Sequence, residues 1–152
     1  MSADTSGRSA CATFLKCCGS TEWARQMAAV EGENLFDAAA RIWWSLEPAD
    51  WLEAFAAHPK IGENSESKWS QQEQAGASGA SNEILAELRD ANRAYAQKFG
   101  YIFIVCATGK TAEEMLALLT QRMDNDPEAE LRIAAAEQLR ITHLRLEKLL
   151  AS

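Results

Sequence analysis

Apolar residues recur three and four positions apart along nearly all of this chain, and that spacing restricts it to packed helices. Trp23 and Met27 lie four apart in a predicted helix over 21–30. Leu35, Ala38, Ala39, Ile42 and Trp43 repeat the pattern until Pro48, which cannot continue a helix. Asp50 is placed to cap a short helix over 51–57. Residues 62–68 read as a loop, 69–75 as a short helix and 76–81 as a turn of small residues. Ser81 or Asn82 begins a long helix that reaches Phe99, with Ile84, Leu85, Leu88, Ala91, Asn92 and Tyr95 facing inward and Gly100 as a left-handed cap. A further helix over 111–123 turns Met115, Leu116, Leu118 and Leu119 inward. Asp126 and Pro127 then start a last helix that runs to about Leu150. Its inward stripe is Leu131, Ala135, Leu139 or Gln138, Thr142, Leu146 and Leu149. Only Tyr101-Ile-Phe-Ile-Val-Cys106 is β-rich, and six residues do not separate a strand from a buried connector. The expected architecture is all-α, an irregular single-domain helical bundle.

Composition narrows the function. The 152 residues suit one domain over 1–152, and 47% hydrophobic content supplies a core without disulfides or metal. No apolar run approaches the roughly 18 residues a membrane span needs. Residues 1–10 are polar with no apolar stretch behind them, so the reading expects a flexible tail there and no secretory signal. The net charge of −7, with no basic stripe, argues against nucleic acid as a partner. Cys11, Cys17, Cys18 and Cys106 form no Cys-x-x-Cys pair, and reduced thiols are the simpler reading. The two histidines have no metal-ligand spacing, so no metal is expected.

His58 is followed by Pro59, which pushes the histidine out of the helical region. Ser70, Gln71, Gln72, Glu73 and Gln74 follow further on, on neighbouring positions of a predicted helical turn. An imidazole, a carboxylate and an amide so close in sequence suit proton transfer. Each has a plainer reading: a histidine at a helix end, and a Ser70–Glu73 capping box. Phe103, Ile104, Val105, Cys106 and Ala107 could offer backbone N–H groups to a developing anion, or simply fill the core. Cys106 reads as an inert buried thiol. Arg145 could clamp a carboxylate, or lie on the surface paired with Glu147 or Glu137. His143 reads as a surface residue. Trp43, Trp44 and Trp51 read as core anchors, and the Trp43-Trp44 pair also suits a subunit interface.

In this order, several segments resemble the 2-oxo-4-hydroxy-4-carboxy-5-ureidoimidazoline (OHCU) decarboxylase family. They are Cys18-Gly-Ser20 with Trp23, Phe55-x-x-His58-Pro59-Lys60-Ile61-Gly62, and Trp69-Ser70-x-x-Glu73-Gln74-Ala75-Gly76. Asn92-x-x-Tyr95-x-x-Lys98-Phe99-Gly100 and Phe103-Ile-Val-Cys106-Ala107-x-Gly109-Lys110 follow. The last are Arg122-Met-x-Asn125-Asp126 and Glu137-x-x-x-Ile141-x-x-Leu144-Arg145-Leu146. The resemblance implies an all-helical, cofactor-free homodimer that converts OHCU to (S)-allantoin and CO2 in urate breakdown. It implies His58 as proton donor and Glu73 as its partner. Pro59, Ser70, Gln71, Gln72, Glu73, Gln74 and the backbone of Phe103, Ile104, Val105, Cys106 and Ala107 would line the substrate, and Arg145 would hold an anionic or carbonyl edge. Lys60 stands where other members carry arginine or aspartate. The chain ends Leu150-Ala151-Ser152 without a peroxisomal tripeptide, so a bacterial cytoplasmic enzyme is expected. Two rivals are a hydrolase or isomerase of neighbouring ureides, and a non-catalytic helical module that displays Trp43, Trp44 and Trp51.

Overall fold

The computed structural model describes residues 2–58 and 81–151, with side chains from residue 9 onward. Its described part is all-α, with seven helices and no strand: α1 Ser2–Leu15, α2 Thr21–Ala28, α3 Leu35–Ser45, α4 Pro48–Ala56, α5 Asn82–Phe99, α6 Ala112–Arg122 and α7 Pro127–Ala151. The chain divides into two compact units, one of residues 1–57 with 138–152 and one of residues 58–137. α1 covers positions read from sequence as a flexible tail. Its end is held by apolar contact, because Phe14 meets the Trp23 ring edge-on at 6.1 Å.

The first unit is built on tryptophans. Ser20 caps α2, its Oγ accepting the Trp23 N–H, and Asn34 caps α3. Helical spacing then buries Trp23, Met27, Ile42, Trp43 and Phe55 completely or nearly so. Each such side chain contributes about 1.5–3 kcal/mol through removal from water. The polar ends of two indoles are satisfied inside: Trp23 Nε1–H donates to Ala39 O at 3.2 Å and Trp51 Nε1–H to Trp43 O at 2.9 Å. Pro48 does more than stop α3. It is the first residue of α4, whose cap is Glu47, with Asp50 reaching back to the Glu47 N–H. The expected start at Trp51 with Asp50 as cap is therefore one turn late. Gly19 lies against the end of α4, where a Cβ on it would come within 2.5 Å of Ala57 Cβ. Cys17 and Cys18 are fully buried, and burial pushes each thiol up to about 11.

The second unit holds α5, α6 and the first part of α7. Ser81 Oγ accepts the Ile84 N–H at the start of α5, and Gly100 closes the helix at φ 88°, where a Cβ would be strained. Thr111 and Glu114 form the capping box of α6, and Asp126 accepts the Glu128 and Ala129 amides at the head of α7. Leu88 and Tyr95 of α5 pack with Met115 and Leu119 of α6 around Phe103, Val105 and Ala107. The β-rich run 101–106 is thus a buried connector between helices.

Candidate active site

His58 is half-buried and immediately follows Ala57, the C-cap residue of α4. Its expected partners Pro59, Ser70, Gln71, Gln72, Glu73 and Gln74, with the loop and short helix assigned to 62–75, lie outside the described residues. Phe103, Ile104, Val105, Cys106 and Ala107 are all described, and each is 7% exposed or less.

The connector forms no ladder, so its buried peptide groups need other partners. Charged side chains supply several. Arg122 Nη1 donates to Ile104 O at 2.8 Å, and Lys110 Nζ donates to Cys106 O at 2.8 Å. The Cys106 N–H donates to Glu137 Oε1 at 2.9 Å. The Val105 and Ala107 N–H groups have no hydrogen-bond partner among the described residues. Arg122 is itself buried. Its guanidinium lies 4.4 Å from the Phe103 ring centroid and donates twice to Glu130 Oε2, at 2.8 and 2.5 Å. Glu130 is fully buried and also accepts from the Tyr95 hydroxyl and from Asn125 Nδ2. Burial, followed by the hydrogen bond to Glu130, pushes the Tyr95 phenol far up, so it stays a donor.

Arg145 belongs to the other unit and is 8% exposed, which corrects the plainer reading of it as a surface arginine. It lowers the pKa of both Cys17 and Cys18, although burial outweighs that effect. The inward position of α7 left open between Leu139 and Gln138 goes to Gln138, which is fully buried and donates to Thr142 Oγ1 at 3.2 Å. His143 is not a surface residue: it is half-buried edge-on to Phe36 at 5.9 Å, and its Nε2 has no hydrogen-bond partner among the described residues. Of the three tryptophans a displayed module would expose, Trp43 and Trp51 are buried and Trp44 alone is exposed, at 43%. All four cysteines are free. No group of three metal-ligating side chains occurs among the described residues.

The sequence model of the OHCU decarboxylase family matches residues 4–147. The chain belongs to that family. It is 44% identical over 145 residues to the uric acid degradation bifunctional protein TTL of Arabidopsis thaliana, covering 88% of this chain and 45% of that protein. Over 80 residues it is 32% identical to the 2-oxo-4-hydroxy-4-carboxy-5-ureidoimidazoline decarboxylase of Amia calva, covering 53% and 46% of the two chains. The chain thus spans about half the length of the curated relatives it matches. Its fold superposes with a TM-score of 0.84 on a crystal structure of OHCU decarboxylase in the presence of (S)-allantoin, at 42% identity, covering 91% of this chain and 97% of that one. This likeness agrees with the expected all-α architecture and family.

The reading from sequence left Glu130 unremarked, gave Arg122 no role, and offered Glu137 only as a surface partner for Arg145. Charged residues on helices default to solvent. Arg122 and Glu137 did stand within the family segments, which was the one available signal.

Proposed function

We propose that this chain is a carboxy-lyase that converts OHCU to (S)-allantoin and CO2 without a cofactor. The observation that carries the reading is the match over nearly the whole of a solved OHCU decarboxylase crystallised with (S)-allantoin. Loss of CO2 leaves an electron pair on the carbon that bore the carboxylate. An adjacent ring carbonyl or imine of the substrate accepts that pair, giving an enolate-like intermediate. The protein then has three tasks. It orients the ring so that the leaving carboxylate stands perpendicular to the π-system. It sets fixed donors where charge develops, a role for Gln74 and the backbone of residues 103–107. It delivers a proton to one face, a role for His58 with Glu73 as its partner. Arg145 holds an oxygen-rich edge of the ring through its planar fork.

Support for the connector as a donor surface comes from its chemistry: two buried N–H groups, at Val105 and Ala107, lack partners among the described residues, and an unpaired buried amide is costly. Pro59, Ser70, Gln71 and Gln72 complete the proposed lining. The proposal extends to a homodimer acting in the cytoplasm; light scattering on the purified chain tests the first and fractionation the second.

The decisive test generates OHCU from urate with a urate oxidase and follows circular dichroism and released CO2 with and without this protein. Faster CO2 release together with an excess of (S)-allantoin is expected. Racemic allantoin at the spontaneous rate rules the reading out. Turnover of OHCU without CO2 would point to a hydrolase or isomerase instead.

A further inference from the structure

The peptide groups at Ile104 and Cys106 are held by charged side chains. Burying Arg122 and Glu130 costs desolvation that their mutual bonds only partly repay. What this arrangement gives in return is rigidity at one place. The anchored groups are two residues apart, the repeat at which an extended segment presents its backbone to one side. Ile104 O is fixed by Arg122, and Cys106 is fixed at both N–H and C=O, by Glu137 and Lys110. The intervening residue Val105 and the following Ala107 are left with unpartnered N–H groups among the described residues. Donors that stabilise a developing charge are effective only when their direction is set before the charge appears.

We infer that Glu137 and Arg122 are positioning residues of the decarboxylation site, locking the peptide groups of Cys106 and Ile104 so that the Val105 and Ala107 amides are aimed in advance. The inference rests on the decarboxylase reading above. Neither side chain is assigned contact with the reacting atoms. Glu137 is the residue to test, because it is half-buried and binds the connector without belonging to the Arg122–Glu130 pair.

The test compares wild type with E137Q and E137A. Glutamine keeps an oxygen acceptor for the Cys106 amide, and alanine removes it. In E137A, kcat on OHCU is expected to fall about 10- to 100-fold with KM changed less than about threefold, as expected for lost orientation of transition-state donors. E137Q is expected to stay within about threefold of wild type, and hydrogen exchange at the Cys106 amide to accelerate in E137A alone. E137M keeps the side-chain length without a strong acceptor and gives the same comparison should E137A not fold. Wild-type kcat in a folded E137A or E137M overturns the inference. So does an E137Q as impaired as E137A, and so does failure of both truncated variants to fold, which assigns Glu137 to stability alone. A wild-type protein that does not accelerate OHCU decarboxylation removes the functional reading itself, and the inference with it. An active wild type with insensitive variants removes the inference only.

Discussion

Arg122 Nη2 lies 2.5 Å from Glu130 Oε2, and almost none of either side chain reaches water. The pair joins the end of α6 to the start of α7, and through the Tyr95 hydroxyl it also reaches α5. Removing one partner leaves the other as an uncompensated buried charge. R122M and E130M are each expected to lower stability by about 3–5 kcal/mol. The double variant R122M/E130M should lose much less than the sum, because no orphan charge remains. Urea unfolding of the four proteins measures both the cost and the coupling.

H58A tests the proposed proton donor. Its side chain is half-buried at the end of α4 and does not belong to the buried core, so the thermal midpoint should change little. Turnover of OHCU should fall by about 10²–10⁴-fold, the usual worth of positioned acid–base help. A folded H58A with wild-type turnover takes His58 out of the mechanism.

Gly19 and Ala57 define a close approach that alanine cannot enter. G19A brings its Cβ to 2.5 Å from Ala57 Cβ, which forces the end of α4 to shift. Overpacking of this kind costs about 1–3 kcal/mol. The compensating A57G should restore most of the stability in the double variant, and chemical denaturation of both decides it. Ala57 is the residue before His58, so a folded G19A is also expected to turn over OHCU more slowly.

Thiol reactivity should separate one cysteine from three. Cys17 and Cys18 are fully buried with their thiols pushed up to about 11, and Cys106 is 7% exposed. Cys11 is half-buried. Because the thiolate is the nucleophile, native protein treated with iodoacetamide near pH 8 should gain one adduct quickly, at Cys11. The same treatment in guanidinium should add four. Intact mass and peptide mapping give the count and the position.

Local chemistry was the legible part of this fold. Ser81 and Gly100 at the two ends of α5, and Asp126 with Pro127 at the head of α7, mark helix ends through hydrogen bonds made within a few residues, so sequence spacing alone reveals them. Pro48 carried two local meanings, a stop and a first helical position, and both apply. The connector was ambiguous because whether a β-rich run pairs or is wrapped depends on distant partners. Arg122, Glu130 and Glu137 were opaque for the same reason: Glu130 meets Tyr95 from 35 positions away and Glu137 meets Cys106 from 31. For the candidate site, the sequence offered only residue types in order, His58 and the family segments, and the partners expected for His58 lie outside the described residues; the burial of Arg145 depends on packing that periodicity does not encode.

The connector also bears on how the chain keeps to itself. Tyr101-Ile-Phe-Ile-Val-Cys106 carries no charge and no proline, and such a hexapeptide is a strong template for cross-β stacking when it is free. Tying its backbone to Arg122, Glu137 and Lys110 denies those peptide groups to a neighbouring molecule. Loosening all of these ties together would therefore cost more than geometry, because it would also free the backbone of an amyloid-prone segment.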